Sequence, residues 1–404
     1  MSEWKEYKLE ELTISKGCYG IAAPAIPYTP NKHKYLRITD INDDGTLNRD
    51  SMMSVDDKNA DNYILKKNDI VFARTGNSTG RTYFYDGSDG KLVYAGFLIK
   101  FSINPDLVNP KYIKYYCQSS IYKNWIHSFN TGSTRGNINA QTYGNMKIIV
   151  PPRKQQDLLV KVLSAIDDKI ELNNKINANL EEQLISVFNQ FKENAPTKKY
   201  KLKDTVLTAN TGADAIQKAP IVDYDTGVRC IRVGDMSNNR RYWEWGYTKV
   251  TPQVLNQYQL KENDILITRT AILGLNTLID EDLAAVYNNG LIRIKIDAEK
   301  IHPLFLYRQF QTKDFYNYVN RIESETSVRP NMKIDYLLSY EFSCPSIEKQ
   351  MELINIIQSM ASIQNKNRKE NNYLAQLRDT LLPKLMNGEI DVENIPISAI
   401  IPNE

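Results

Sequence analysis

From Lys154 to about Lys192 the chain has no proline or glycine, and apolar residues recur at Leu163, Ile166, Ile170, Leu180, Leu184, Val187 and Phe191. Steps of three and four residues mark one face of a long α-helix. A single gap of ten residues interrupts the stripe, and Asn173 and Asn177 hold the seam positions inside it. The pattern returns from Glu348 to about Met386, with Leu353, Ile357, Met360, Leu374, Leu381 and Leu385 around Asn367 and Asn371. Roughly 38 residues make a helix of about 57 Å, far beyond the globular average. Polar seam residues cost stability but set register and partner. The two helices are therefore expected to pair as an antiparallel coiled coil with pseudo-two-fold symmetry. The pairing residues are Leu163, Ile166, Ile170, Asn173, Asn177, Leu180 and Leu184 on one helix, and Ile357, Met360, Asn367, Asn371, Leu374 and Leu381 on the other. The alternative, each helix lying on its own globule, favours an unbroken apolar stripe.

About 150 residues of different character precede each helix. Asp69–Ala73 and Asp264–Thr268 are short apolar runs that read as buried strands. Asn109-Pro110 to His127 and His302-Pro303 to Val319 read as helices rich in tyrosine and phenylalanine. The expected fold class is α+β, a mixed α/β globule followed by a long helix, twice over.

The duplication is visible residue by residue. Leu36-Arg37-Ile38-Thr39-Asp40-Ile41 matches Ile231-Arg232-Val233-Gly234-Asp235-Met236 at an offset of 195. Leu65 to Thr75 matches Leu260 to Thr270 at the same offset. Arg135-Gly136-Asn137-Ile138 matches Arg329-Pro330-Asn331-Met332, and Pro151 to Gln156 matches Pro345 to Gln350, both at 194. Tyr7-Lys8-Leu9 returns as Tyr200-Lys201-Leu202 at 193. A period this long is a tandem duplication and not a solenoid. The expected boundaries are 1–150 and 194–344 for the globules, 151–193 and 345–390 for the helices, and 391–404 for an extended tail.

Composition narrows the class. The 404 residues are 42% apolar and 25% charged, which suits a folded protein of two or three domains. No run of 18 apolar residues is present and the start lacks a secretory h-region, so no membrane span is expected and a cytoplasmic location is. Four distant cysteines and three scattered histidines make no metal site and no disulfide framework. Fifty-one basic residues stand against 48 acidic ones, so the net charge of +3 announces no global field. Locally the balance shifts: residues 100–153 carry seven basic groups and one acid, Asp106, among Tyr112, Tyr115, Tyr116, Tyr122 and Trp125. Cations among aromatics suit a phosphate backbone, or equally a solvated surface over a buried aromatic face.

Enzyme signatures fail one by one. Gly76 to Gly80 has three residues between glycines where a phosphate loop needs four, and Arg81 in place of lysine. No GxGxxG or HExxH is present. Asp69/Asp264 and Asp40/Asp235 recur, and turn or cap formation beside a strand is their expected role. The chain is expected to catalyse nothing and to bind, with equal scaffolds and unequal loops, two different things.

The motifs together resemble a known family. Leu65-Lys66-Lys67-Asn68-Asp69-Ile70 followed by Arg74-Thr75, then Arg-x-Asn, then Pro and Gln before a long helix, in duplicate, is similar to the specificity subunit of type I restriction–modification enzymes. The ending Leu381-Leu382-Pro383-Lys384-Leu385-Met386-Asn387-Gly388 fits as well, and the likeness spans the whole chain. The resemblance implies two target recognition domains, each reading one half of a split site in double-stranded DNA. It implies two modification subunits, which bring S-adenosylmethionine and methylate adenine, and restriction subunits that use ATP and Mg²⁺. It implies no cofactor or metal in this chain. One departure is Gly136, where the family pattern has proline. The rivals are the specificity module of a related DNA-modification system and a coiled-coil scaffold that binds proteins.

Arginine can bind guanine and asparagine adenine in the major groove. The candidate DNA-binding residues are Arg74, Thr75, Asn77, Ser78, Arg81, Thr134, Arg135 and Asn137 in the first copy. Arg269, Thr270, Asn288, Asn289, Ser327, Arg329 and Asn331 are those of the second. Arg74 and Arg269 recur, which suits phosphate anchoring or a structural role better than base reading; base readers are expected among residues that differ between the copies.

Overall fold

The computed structural model describes residues 4–129, 137–212, 221–325 and 331–394. It divides into two compact units, residues 1–174 with 368–404, and residues 175–367. Two long helices each contribute to both: a central helix, Arg153–Asn194, and a C-terminal helix, Ile347–Met386. Among the described residues no helix is long and apolar enough to cross a membrane.

In the first unit, strand β1 (Lys5–Lys8) pairs antiparallel with the last strand of its globule, Lys147–Val150. Between them come β2 (Cys18–Tyr19), β3 (His33–Leu36), β4 (Met53–Val55), β5 (Asp69–Ala73), β6 (Thr82–Tyr85), β7 (Leu92–Tyr94) and β8 (Leu98–Ser102); Lys147–Val150 is β9. One antiparallel sheet has the order β2-β8-β5-β6 and a second the order β4-β3-β7, with β3 and β7 parallel. Every residue of β5 is buried, as its unbroken apolar run requires. The helices are α1 (Pro110–Tyr116), α2 (Ser120–His127) and α3 (Ala140–Gly144).

The second unit repeats this frame. Strands β10 (Lys198–Lys201) and β19 (Glu341–Cys344) close it as β1 and β9 do. The order β11-β18-β15-β16, from Val206–Thr211, Leu291–Ile296, Ile265–Thr268 and Asn276–Leu278, matches the first four-stranded sheet. The other sheet, β12-β14-β13-β17, comprises Ile221–Val222, Tyr247–Thr248, Arg229–Ile231 and Ala285–Tyr287. Its helices are α4 (Val233–Ser237), α5 (Pro252–Tyr258), α6 (Pro303–Phe310), α7 (Lys313–Glu325) and α8 (Ile334–Leu338). Sheets that are mostly antiparallel, with helices set apart from them, make each globule α+β.

Two expectations need correction. The stretches Asn109–His127 and His302–Val319 are each two helices. The Ser119 hydroxyl accepts from the Tyr122 N–H and the Thr312 hydroxyl from the Phe315 N–H, so a side-chain cap starts a new helix where apolar spacing alone suggested continuity. The tail is not extended throughout: Val392–Asn394 forms a 3₁₀ turn and Val392 is buried in the first core.

The long helices do both things that were weighed as alternatives. Leu159, Val160, Val162 and Leu163 of the central helix join the first globule's core, together with Leu382, Leu385 and Met386 of the C-terminal helix. Leu184, Phe188, Leu353, Ile354 and Ile357 join the second core. The segments between are held by amides. In the first unit the Asn173 amide donates to Glu370 and to Asn371, each at 2.9 Å, and Asn371 donates to Asn174. In the second, Asn367 donates to Asn177 at 3.0 Å, and Gln364 donates to the Asn177 carbonyl and to Glu181. Rising numbers on one helix meet falling numbers on the other, so the segments are antiparallel within each unit. Of the remaining pairing residues, Ile166 and Leu374 are buried, and Ile170, Leu180, Met360 and Leu381 are half-buried.

The repeated Pro-to-Gln stretch now has a physical purpose. Buried Gln156 accepts from the Asn109 N–H at 2.7 Å and donates to the Pro151 carbonyl; buried Gln350 accepts from the His302 N–H at 2.8 Å and donates to the Pro345 carbonyl. Each glutamine ties the start of a long helix to the N-cap of a globule helix, Asn109 of α1 or His302 of α6. Gln350→Leu leaves the His302 N–H without its acceptor and the Pro345 carbonyl with only the Cys344 thiol as donor, so it lowers the second unit's stability by about 1–3 kcal/mol. Urea unfolding of the full chain followed by tryptophan fluorescence measures this, and an unchanged midpoint refutes it.

Candidate nucleic-acid interface

Both β5 and β15 begin at the same device. Asn68 and Asn263 take left-handed conformations, φ +72° and +69°, which asparagine tolerates better than most residues. Asp69 and Asp264 follow, accepting from the N–H groups of Lys66 at 2.7 Å and Lys261 at 3.0 Å. Asp40 and Asp235 likewise accept from the N–H groups of Arg37 and Arg232. All four recurring aspartates close turns.

Both strands end at an Arg-Thr pair, and here motifs far apart in sequence meet. The Ile138 N–H donates to the Arg74 carbonyl at 2.9 Å, and Thr75 forms an antiparallel bridge with Asn137. The Met332 N–H donates to the Arg269 carbonyl at 2.8 Å, and Thr270 bridges Asn331. In each unit this makes one lip at the end of the four-stranded sheet. The turn between the two strands nearest in sequence completes it: the Arg74 N–H donates to the Phe97 carbonyl, and the Arg269 N–H to the Gly290 carbonyl.

The arginine side chains are held within this lip. The Arg74 guanidinium lies 3.3 and 3.4 Å from the Asn137 amide oxygen and 4.9 Å from the centre of the Tyr19 ring. Arg269 donates to the carbonyls of Asn289 and Met332, at 3.2 and 3.4 Å. Both are half-buried, so each serves the lip while keeping part of its charge at the surface. Thr75 and Thr270 are half-buried beside them, and Asn137 and Asn331 are exposed.

Other candidates separate. Asn77 is exposed in a 3₁₀ turn, Gly76–Ser78, whereas Ser78 is buried and offers no surface to a ligand. Arg81 is committed elsewhere, to Asp43 at 2.7 Å and the Ile41 carbonyl at 3.0 Å. Asn288 accepts from the Gly290 N–H and is a turn former; Asn289 is half-buried. Thr134, Arg135, Ser327 and Arg329 lie outside the described residues.

Sequence reasoning missed Tyr19, Phe97 and two pairs of glycines. Gly80 and Gly274 have φ of +87° and +79°, which an L side chain rarely adopts. A Cβ on Gly20 would stand 2.3 Å from the carbonyl oxygens of Tyr94 and Ala95, and one on Gly212 2.4 Å from that of Tyr287. The offsets of 194 and 192 were legible as a signal for these pairs.

The lips offer cations, amides, hydroxyls and aromatic rings: groups that recognise, not groups that react. Among the described residues no cluster of His, Cys, Asp and Glu could hold a metal ion. Burial pushes the Cys230 thiol up to about 11 and the Cys344 thiol to about 12, and raises Cys117 as well. All three stay protonated at neutral pH and are poor nucleophiles.

Comparison with known proteins gives a consistent picture. The model of the "Type I restriction modification DNA specificity domain" matches residues 1–182 and again 194–376. The MjaVIII type I restriction enzyme specificity subunit of Methanocaldococcus jannaschii is 22% identical over 357 residues, 82% of this chain and 81% of that one. The EcoKI specificity subunit of Escherichia coli strain K12 is 19% identical over 337 residues, covering 75% and 67%. Among solved structures, the type I restriction–modification S subunit of M. genitalium superposes with a TM-score of 0.56 over 95% of this chain and 96% of that one, at 16% identity, a likeness of fold.

Proposed function

We propose, from the premise that this chain belongs to the type I restriction modification DNA specificity family, that it reads a split, asymmetric DNA site with one lip per half. A specificity chain works with other subunits and with DNA. The observation that carries the finer assignment is the pair of lips: one backbone frame, built twice, presenting different side chains. Residues 1–150 act as one target recognition domain and 194–344 as the other. Two modification subunits supply S-adenosylmethionine and methylate adenine, and restriction subunits supply the ATP- and Mg²⁺-dependent nuclease. The chain itself contributes recognition, in the cytoplasm where the DNA is. Exposed apolar side chains on the long helices, among them Leu172, Ile176, Ile356 and Ile363, support docking of those partners.

Arg74 and Arg269 are the phosphate anchors of this scheme. Arg74→Ala and Arg269→Ala each weaken DNA binding by the complex with modification subunits roughly tenfold, and each lowers the slope of log K against log salt by about 0.9. Gel shifts across a salt series measure both quantities. Weaker binding with an unchanged slope makes the arginines lip-builders, through Asn137 and Asn289. A flat salt response of the wild-type complex favours a protein-binding scaffold instead.

A further inference from the structure

The two lips differ most at the turn that completes them. In the first unit it is Ala95-Gly96-Phe97-Leu98, closed by the Leu98 N–H donating to the Ala95 carbonyl at 2.8 Å. In the second it is Asn288-Asn289-Gly290-Leu291, closed by the Leu291 N–H donating to the Asn288 carbonyl at 3.1 Å. The arginine N–H groups identify the matching positions: Phe97 stands where Gly290 does. A Cβ on Gly290 would lie 2.6 Å from Val233, so the second turn has no room for a side chain there. The first turn carries a phenyl ring that is 60% exposed.

That exposure is not looseness. The Phe97 carbonyl is tied to Arg74, and Gly96 lies against the Ile21 carbonyl, where a Cβ would be at 3.3 Å. Tyr19 and Arg74 stand at the same end of the β2-β8-β5 strands, since Tyr19 pairs with Ile99 and Ala73 with Leu98. A rigid turn thus projects an apolar ring beside a cation and a tyrosine, on the edge assigned to DNA. A phenyl ring offers DNA no hydrogen bond. The apolar group that the major groove presents to it is the thymine 5-methyl.

We propose that Phe97 is a base-reading residue of the first recognition domain, packing against the 5-methyl of one thymine and so specifying an A·T pair. This rests on the DNA-reading role proposed above and deepens it. The second domain, with amides and a glycine at its turn, has no such contact.

The test uses the full-length chain with its modification subunits, on duplexes in which each thymine of the first half-site is replaced in turn by uracil. Wild type loses about three- to tenfold in affinity at one position, the worth of a buried methyl group. Phe97→Ala loses that sensitivity and discriminates less at that pair, while every position of the second half-site is unchanged. Phe97 is exposed, so the variant keeps its fold. Equal uracil sensitivity of the variant and wild type overturns the assignment, as does a wild type indifferent to uracil throughout the first half-site. Both of those outcomes occur in a complex that still prefers a two-part site. A wild-type complex with no such preference overturns the DNA-reading role itself, and the assignment with it.

Discussion

Exchanging residues 1–150 for those of a relative with another target changes one half of the methylated motif and leaves the other half as it was. The first globule closes on itself through the β1–β9 pairing, Lys5 opposite Val150, so the exchanged segment begins and ends at adjacent strands. It shares a core with Leu159 to Leu163 of the central helix and Leu382, Leu385 and Met386 of the C-terminal one, all of which lie beyond the exchange and are kept. Each mismatched base pair costs about 1–3 kcal/mol, nearly additively. Three mismatches in the old half-site therefore cost on the order of a thousandfold or more in binding. Methylome sequencing of cells carrying the chimaera reads the outcome directly. A change in both halves at once would show that the lips do not read independently.

Asp167→Ala lowers the stability of the first unit by about 2–4 kcal/mol. Asp167, on the central helix, accepts from Lys114 at 2.7 Å and Tyr115 at 2.9 Å on α1, and from Arg378 at 3.2 Å on the C-terminal helix. One carboxylate thus joins the globule to both helices. Its removal leaves Lys114, with 27% of its side chain exposed, without its counter-charge, and Arg378, 15% exposed, with only the solvated Asp379 at 3.4 Å. Fully buried pairs lose about 3–5 kcal/mol on losing a partner, and partial exposure reduces that. Burial pushes the Asp167 pKa up, but the Lys114 charge and hydrogen bond, with Arg378 behind them, more than reverse this and hold it below its ordinary value. Because the folded pKa is depressed, the contribution is complete above the unfolded value of about 3.9 and is lost as pH falls through the folded one. Hydrogen exchange across Pro110–His127 at neutral pH shows the deficit, and the gap between variant and wild type narrows below about pH 4. A gap independent of pH would mean that the ionised carboxylate is not its source.

The long helices were legible because heptad spacing is a one-dimensional signal, and the duplication because an offset needs no structure. The asparagines in the apolar gap were legible as a layer. Their partners Gln364 and Glu370 were not, since a polar residue on a polar face carries no mark of what it faces. The lip was half legible. Arg74-Thr75 and Arg-x-Asn137 could be seen to recur, but the bridge between Thr75 and Asn137 joins residues 62 apart and exists only in the folded chain. Ser78 and Arg81 looked like loop ligands for the same reason: burial and the Asp43 partner come from other strands and loops. Tyr94 to Phe97 could be seen to differ from Tyr287 to Gly290, but the exposure of the Phe97 ring could not, because an apolar residue between two strands reads as core.

The second unit has a junction of its own, in which buried Arg308 on α6 donates to Glu181, the carboxylate that Gln364 also bonds. Both carboxylates, Asp167 and Glu181, thus belong to the central helix. At the offset of 194 the C-terminal helix carries Ala361 and Ala375 in their places. The duplication has therefore lost its exchangeability: the first half of the chain owns the anions for both junctions, and the second half owns none. A fragment starting after residue 194 would have to bury Arg308 without Glu181, and would also lack Leu184 and Phe188 for its core. The second globule is an obligate tenant of a helix synthesised before it, and gene rearrangements that replace it must keep that helix to yield a chain that folds.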